Sequence, residues 1–239
     1  DFFFKHYAPN NAILSIAGPV TTKEIRELAC KWFGEIEPRT INKRNLPKEP
    51  PQTEKRILEV ERDVPFDSIY KVYHMSNRQH DDFHASDMIS DILSNGKSSR
   101  LYQKLVRENN LFSDINAYIT GDIEDGLFVI TGRLYKNVSF NTAESAINEE
   151  IERIKNNPID GYELEKVKNK FESNFRFGEA NPLDKAMNLA FYELLGDAND
   201  VNREVDGYRN VTSDKVKEVA SKIFKEDNCS TLYYKAKNK

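Results

Sequence analysis

Residues 92–105, with the sequence ILSNGKSSRLYQKL, contain the most informative helix boundary in the chain. Upstream of Gly96, apolar residues recur at helical spacing from about residue 81 to 94, which predicts an amphipathic helix. Gly96 interrupts this pattern, and a second helical pattern begins after it. The two helices are marked by Ala85, Met88, Ile89, Ile92 and Leu93, and by Leu101, Tyr102, Leu105 and Val106.

Paired strand candidates lie on both sides of these helices. Residues 56–61 and 68–75 precede them, and residues 112–120 and 126–134 follow them. The rest of the chain shows four amphipathic helical patterns and a final strand at residues 230–235. Strand pairs separated by blocks of helices predict an α+β fold, with an antiparallel or mixed sheet and helices packed on one face. Strict βαβ alternation and a glycine-rich phosphate loop are both missing, which disfavours a doubly wound nucleotide-binding fold.

The N-terminal part of the chain has its own local signals. Residues 11–17 (NAILSIA) are short and apolar, which predicts a buried strand. Thr21 and Glu24 have the spacing of a capping box, so a helix is expected to begin here and to end at Gly34. Residues 37–55 contain four prolines among charged residues, without an apolar period. This segment is predicted to be an extended linker, and it is the best domain boundary in the chain.

Composition excludes several classes of function. The formal charge is -4 and the charged residues are interleaved, so there is no basic stripe for a phosphate backbone. No stretch approaches the roughly 20 apolar residues that cross a bilayer. Cys30 and Cys229 have no other ligand-type residues beside them, so two buried thiols are expected, and a disulfide stays open. The chain begins with Asp1 and a run of phenylalanines, which favours a trimmed or processed product.

Catalytic motifs are missing from the sequence. Neither H-E-x-x-H nor H-x-x-E-H occurs, and there is no G-x-S-x-G elbow. His80 and His84, with Asp87 and Asp91 beyond them, could hold a transition metal if all four lay on one helix face. The preferred interpretation is a helix start with acidic residues in its first turn and histidines facing water. His74, in a predicted strand, is interpreted as a hydrogen-bonded structural residue. No metal ligand and no catalytic residue is therefore assigned in this chain.

Four passages share a pattern with one enzyme family. They are F-x-x-Y-x-P-x-N-A from residue 4, K-W-F-G-E-I at 31–36, the passage 92–105, and V-T-x-D-x-V at 211–216. In this order and spacing they resemble the C-terminal half of pitrilysin/insulinase-family zinc metallopeptidases, in the processing-peptidase-like branch. The resemblance spans essentially the whole chain, and the passage 92–105 is its most specific part.

The resemblance implies a domain organisation and partners. Such peptidases have two similar α+β halves, and the zinc ligands lie in the first. Residues 1–45 would then be the tail of the first half, residues 46–53 the linker, and residues 54–239 the complete second half. Zinc is expected in the full-length protein and not in this chain. The expected partners are the zinc-bearing half, in the same polypeptide or in a partner subunit, a peptide substrate and a second copy of the chain. The bacterial cytoplasm or periplasm is the expected compartment.

The resemblance also implies where functional residues would stand. Because the two halves are related by duplication, Asp87, Ser90 and Asp91 match the His, Glu and His of the zinc helix. Active relatives carry an arginine and a tyrosine in the second half that polarise the substrate carbonyl, and Val106 and Ser113 stand at these positions. Arg107 is adjacent and is the candidate substrate-binding residue. Its simpler interpretation is a surface arginine paired with Glu108.

Two functions follow from these observations. The first is the non-zinc half of a zinc metalloendopeptidase, which contributes a substrate chamber and its closure. The second is a non-catalytic, core-subunit-like scaffold or peptide-binding protein, which the loss of the arginine and tyrosine pair favours. An H-x-x-E-H motif in the upstream reading frame would distinguish the two.

Overall fold

A computed structural model describes residues 2–41 and 45–237. Their contacts form two compact units. The first unit contains the described residues up to Glu49 together with Glu172–Val205, and the second contains Pro50–Phe171 and the described residues from Asp206 onward. No helix in these described ranges combines the length and apolarity that crossing a bilayer requires.

The second unit is built on one mixed sheet of five strands. Its strand order is β1-β5-β2-β4-β3, where β1 and β5 are parallel and the other neighbours are antiparallel. The C-terminal strand therefore lies between the first two strands of the unit. The strands are β1 Arg56–Arg62, β2 Ser68–Met75, β3 Phe112–Ile119, β4 Gly126–Leu134 and β5 Cys229–Ala236. Their positions agree with the predicted ones.

The predicted helices are present in the predicted order. The helices are α1 Phe2–His6, α2 Thr22–Phe33, α3 Phe83–Ser94, α4 Phe140–Asn156, α5 Gly161–Gly178, α6 Pro182–Leu195, α7 Glu204–Arg209 and α8 Ser213–Ile223. The two short helices, α1 and α7, were not predicted. Short 3₁₀ turns occupy Pro9–Asn11, Ala198–Arg203 and Glu226–Asn228. The helix predicted around residues 101–106 is present at Tyr102–Glu108 and is wound as a π-helix. The Asn109 N–H, for example, donates to the Lys104 carbonyl oxygen at 3.0 Å.

The core of the second unit lies on one face of the sheet. Alternate residues of β2, namely Ile69, Tyr73 and Met75, are buried, as the period of two in a strand requires. They pack in one cluster with residues of α3, α4 and α8. The predicted α+β fold, with a mixed sheet and helices on one face, is thereby confirmed.

The strand predicted at residues 11–17 is wrong. The segment leaves the 3₁₀ turn at Pro9–Asn11 and continues without regular structure, with Ile13, Leu14 and Ile16 exposed. A strand needs a neighbour that pairs with its N–H and C=O groups, and no strand of the described chain pairs with this segment.

Helix α2 begins where the capping box predicts. Thr21 Oγ1 accepts from the Glu24 N–H at 3.3 Å, and Glu24 Oε2 accepts from the Thr21 N–H at 2.9 Å. Its apolar face is not buried, and Trp32 is 67% exposed. Cys30 lies on this helix, so the expectation that both cysteines are buried is wrong for Cys30 and confirmed for Cys229, and both thiols are free.

The predicted linker has no helix or strand in its described residues, 37–41 and 45–55. Residues 42–44 of that segment lie outside the described residues. The division between the two units near Glu49 and Pro50 falls in this segment. The assignment of residues 1–45 and 54–239 to two peptidase halves stays a prediction.

Candidate functional site

The start of α3 is fixed by a buried aspartate. Asp82 precedes the first helical residue, and its two carboxylate oxygens lie 2.5 Å from Lys215 Nζ and 2.9 Å from Lys222 Nζ, both of which belong to α8. Burial would raise the pKa of the Asp82 carboxyl, but the two lysines outweigh it and lower the pKa. Lys222 also pairs with Glu218 at 2.7 Å. This ion-pair cluster joins α3 to α8.

His80 and His84 do not form a metal-binding pair on one helix face. His80 precedes α3, and its Nδ1 accepts from the Asp82 N–H at 3.0 Å. His84 lies inside the helix, where its ring meets Tyr208 edge-on with 4.8 Å between the centroids. A Cβ atom on Gly207 would lie 2.6 Å from His84 Nε2, so a larger residue there would displace this imidazole. The expectation that both histidines face water holds for His80, whereas His84 is half-buried.

The three α3 residues that the resemblance matches to zinc ligands all take part in intramolecular hydrogen bonds. The Tyr208 hydroxyl donates to Asp87 Oδ2 at 2.6 Å, and the Ser90 hydroxyl donates to the Asp87 carbonyl oxygen at 2.8 Å. Asp91 Oδ1 accepts from the Asn95 side-chain amide at 2.5 Å. Aspartates without an imidazole are a poor donor set for zinc, so these residues do not fit that ion. Across the described parts of the chain, His, Cys, Asp and Glu form no group of three or more that could hold a metal.

Tyr208 covers the part of α3 around Asp87. It is 4% exposed and stacks on Phe171 with 3.4 Å between the ring centroids. The position beside Asp87 is thus filled by a buried aromatic ring rather than by a water-accessible pocket. Sequence reasoning missed Tyr208 and Gly207, because they lie about 120 positions from α3 and belong to no motif.

Val106 and Ser113, which the resemblance matches to the arginine and tyrosine pair, lie on the π-helix and on β3. Val106 is half-buried against the core, whereas the neighbouring Arg107 is exposed. Arg107 Nη1 donates to Gln103 Oε1 at 3.3 Å, and Glu108 pairs with Lys104 at 2.9 Å. Arg107 is thus a surface residue, as the simpler interpretation has it. The ion-pair partner of Glu108, however, is Lys104 and not Arg107.

Ser113 is the extra residue of a β-bulge. Phe112 is opposite Leu134 and Asp114 is opposite Arg133, so Ser113 has no residue opposite it on β4. Its side chain is exposed, and its hydroxyl donates to Asp114 Oδ1 at 3.2 Å. A serine at this position can donate a hydrogen bond, but it lacks the reach of a tyrosine.

The passage 92–105 forms a structural junction. Gly96 has φ +91°, a left-handed conformation that favours glycine and that ends the run of α3. The Ser99 hydroxyl donates to the Gly96 carbonyl at 2.7 Å, and Arg100 makes two hydrogen bonds to Glu163 on α5, at 3.0 and 2.6 Å. Lys166 reaches the Ser98 hydroxyl at 3.2 Å. These contacts hold α3 and the π-helix against α5, and they give Ser98, Ser99 and Arg100 of this passage structural roles.

A buried charge network lies between the sheet and α4. Glu144 Oε1 accepts from Lys71 Nζ at 2.6 Å and from Lys55 Nζ at 3.3 Å, and Glu144 Oε2 accepts from the Tyr233 hydroxyl. Lys71 is 2% exposed. A cleft of about 350 Å³ opens beside this network, and Lys55 and Lys71 are among its lining residues. The network offers a structural anchor, in which Glu144 supplies the counter-charge of the buried Lys71, rather than an acid or base that is free to react.

Comparison with known proteins identifies similar sequences. The family model described as the peptidase M16 inactive domain matches residues 1–171. The zinc protease PqqE of Helicobacter pylori is 27% identical over 242 residues, which covers 98% of this chain and 53% of that protein. The chain therefore spans about half the length of this curated relative.

Solved structures share the fold. A protease from Helicobacter pylori superposes with a TM-score of 0.84 at 24% identity, covering 92% of this chain and 54% of that one. A peptidase M16 inactive domain from Pseudomonas fluorescens superposes with a TM-score of 0.76 at 18% identity, covering 92% of this chain and 52% of that one. Both matches extend over most of the described chain.

Proposed function

The chain belongs to the peptidase M16 inactive-domain family, and we propose that it serves as the non-zinc half of a zinc-dependent metalloendopeptidase that acts on peptides. One observation carries this proposal. The α3 positions that match the zinc helix hold Asp87, which accepts from the hydroxyl of the buried Tyr208, and Asp91, which accepts from the side-chain amide of the exposed Asn95. The described residues of this half therefore offer no metal-binding group, and its role is to shape and close a peptide-holding chamber.

The proposed partner is a zinc-bearing half, either upstream in the same polypeptide or in a separate subunit. In this proposal residues 1–45 are the tail of that half, residues 46–53 are the linker and residues 54–239 are the complete non-zinc half. The irregular, proline-containing linker supports a hinge between the halves. The zinc chemistry is assigned wholly to the other half, and the peptide substrate is proposed from the names of the relatives.

The first prediction concerns metal content and activity. The purified chain is expected to retain less than about 0.1 zinc per molecule and to hydrolyse no peptide, because zinc sites need three or four ligands and imidazole is among those it favours. Elemental analysis and a quenched-fluorescence peptide library measure the two quantities. The matched control is the same chain joined to its zinc-bearing half, which is expected to be active and to lose activity with a chelator. Stoichiometric zinc in the chain alone, or peptide hydrolysis by it, would overturn the proposal, and loss of that activity in His84→Ala would trace it to this chain.

Arg107 is proposed as a substrate contact of this half. Its guanidinium is exposed, and among the described residues it forms no ion pair with a carboxylate, so its charge is available to a peptide carbonyl. In the two-half enzyme, Arg107→Ala is expected to lower kcat/KM about tenfold. Lys104→Ala, on the same π-helix and paired with Glu108, is the control and is expected to leave kcat/KM unchanged. Equal effects of the two variants would contradict a specific role for Arg107.

A non-catalytic scaffold is the second candidate function. The observation that favours it is the pair of replacements at Val106, which is turned toward the core, and at Ser113, which is exposed on a bulge. The coding sequence upstream distinguishes the candidates. An H-x-x-E-H motif followed by a glutamate some tens of residues later supports the peptidase, and an upstream half without histidine ligands supports the scaffold.

A further inference from the structure

One lysine lies in the row of β2 residues that otherwise packs into the core. Lys71 is placed between Ile69 and Tyr73 on the face of the sheet that the helices cover, and it is 2% exposed. A buried ammonium group is costly unless a counter-charge balances it. The charges of the groups around Lys71 therefore decide what this region can bind.

The wall beside Lys71 carries one more positive than negative charge. Glu144 Oε1 accepts from Lys71 Nζ at 2.6 Å and from Lys55 Nζ at 3.3 Å, so one carboxylate serves two ammonium groups. The other oxygen of this carboxylate accepts from the hydroxyl of Tyr233, which carries no charge. The side chain of Lys55 is 29% exposed, so water solvates its ammonium group only in part. An anion beside Lys55 would neutralise the excess charge.

The cleft of about 350 Å³ opens beside this excess charge, with Lys55 and Lys71 in its lining. Two further lysines line it, and each has an acidic neighbour that also lines it. Lys155 pairs with Glu152 at 2.5 Å, and Lys225 is followed in sequence by Glu226. These opposite charges balance one another, so the cleft as a whole keeps the excess positive charge.

Part of the cleft lining is apolar. The side chains of Tyr73, Ile151 and Phe224 line it, and each of these residues is 4% exposed. A ligand that packs an apolar group against them removes that group from water, and small-molecule sites combine such a lining with a few polar or charged groups. The volume of the cleft lies in the range of such sites. The cleft therefore suits a small anion that carries an apolar group.

We propose that this cleft binds a carboxylate that carries an apolar group, with the carboxylate beside Lys55 and the apolar group against the ring of Phe224. A small free acid and the C-terminus of a peptide share this chemistry. The proposal rests on the second unit alone, so it holds or fails independently of the proposed role as a non-zinc half.

Calorimetric titration of the chain with N-acetylphenylalanine tests the proposal. The acid is expected to bind at least about tenfold more tightly than its primary amide, which has the same ring and no charge. It is also expected to bind at least about tenfold more tightly than acetate, which has the charge without the ring. Equal binding of the acid and either of these two probes overturns the proposal, as does absence of binding at millimolar concentration.

A tripeptide, alanyl-alanyl-phenylalanine, separates the two sources of the carboxylate. An affinity equal to that of N-acetylphenylalanine supports a site that accepts peptide C-termini. An affinity about tenfold lower supports a site for small free acids, because the longer chain then meets the walls of the cleft.

A lysine substitution tests the origin of the affinity. Lys55→Met removes the excess charge and leaves Lys71 paired with Glu144, so the fold should be unchanged by circular dichroism. It is expected to weaken the binding of N-acetylphenylalanine about tenfold. Lys97→Met is the matched control, because it removes the same charge from an exposed lysine that does not line the cleft. Equal weakening by the two variants would show an unspecific attraction and contradict the site.

A second variant fills the cleft without changing its charge. Asn148 lies on α4, is exposed and lines the cleft, so Asn148→Trp places an indole in the space that the ligand needs. This variant is expected to lose at least about tenfold in affinity. Ser145→Trp, exposed on the same helix and outside the cleft lining, is the control and should bind as the parent chain does. Parent-like binding by Asn148→Trp would place the ligand elsewhere and refute the proposal.

Discussion

Replacing Glu144 by glutamine is expected to lower the free energy of unfolding by about 3 kcal/mol. Glu144 is the only carboxylate within ion-pair distance of Lys71 among the described residues, and the two lie 2.6 Å apart. Glutamine keeps the size of the side chain and removes its charge, so the ammonium of Lys71 stays buried without a counter-charge. The hydroxyl of Tyr233 also exchanges a charged acceptor for a neutral one.

Urea denaturation followed by circular dichroism measures this loss. Glu152→Gln is the matched control on the same helix, because the pair between Glu152 and Lys155 is exposed and its loss should cost less than about 1 kcal/mol. Combining Glu144→Leu with Lys71→Met removes both charges and is expected to recover much of the stability. Equal losses for Glu144→Gln and Glu152→Gln would contradict a buried, charge-dependent anchor.

The same network predicts a dependence on pH. Burial would raise the pKa of the Glu144 carboxyl, but hydrogen bonds from Lys71 and Tyr233 and the charge of Lys55 outweigh it and hold the pKa at about 2. The ordinary value is 4.5, so the folded protein binds this proton less readily than the unfolded chain. The contribution of the Glu144 charge to the free energy of unfolding is therefore complete above pH 4.5 and is lost as the pH falls toward 2. Over this window the parent chain should lose stability more steeply than Glu144→Gln.

The sheet could be predicted from the sequence because its signal is local. Alternating buried and exposed residues mark β2, and the predicted range 68–75 equals the observed strand. The strand order could not be predicted, because the pairing of β5 between β1 and β2 joins residues more than 150 positions apart. The spacing of the apolar residues also did not predict that Tyr102–Glu108 is wound as a π-helix.

Burial was less predictable than helix formation. The capping box located α2, since its hydrogen bonds join residues three positions apart. Both α2 and α6 carry apolar residues at helical spacing, yet Leu28, Leu183 and Met187 are exposed. An apolar stripe shows that a helix can bury one face, but burial also requires a partner surface that local spacing does not specify.

The candidate site also combines features that local sequence predicts with contacts that it does not predict. The sequence placed Asp87, Ser90 and Asp91 on α3, and the structure agrees. What closes the site is Tyr208, from a short helix near the end of the chain, together with Gly207, which admits the ring of His84. Such a contact between distant segments depends on the completed fold, so spacing within one segment carries no sign of it.

Replacing Gly132 by alanine is expected to lower the free energy of unfolding by about 3 kcal/mol. Gly132 lies in the middle of β4, opposite Ile115 on β3. A Cβ atom there would lie 2.7 Å from Cδ1 of Phe112 and 3.2 Å from the carbonyl oxygen of Asp114. Phe112 is fully buried, and the bulge at Ser113 fixes the strand beside it, so neither the ring nor the backbone has room to move.

Chemical denaturation of two further variants separates this clash from a general effect of alanine. Gly161→Ala is the control, because a Cβ at the start of α5 meets no atom within 4 Å and alanine favours a helix, so its stability should be unchanged or higher. Phe112→Leu removes the ring atoms that the methyl group added by Gly132→Ala would meet. The combination of Phe112→Leu and Gly132→Ala should therefore cost clearly less than the sum of the two single changes. Additive losses would show that the glycine is needed for another reason, such as its backbone conformation, and not for the ring of Phe112.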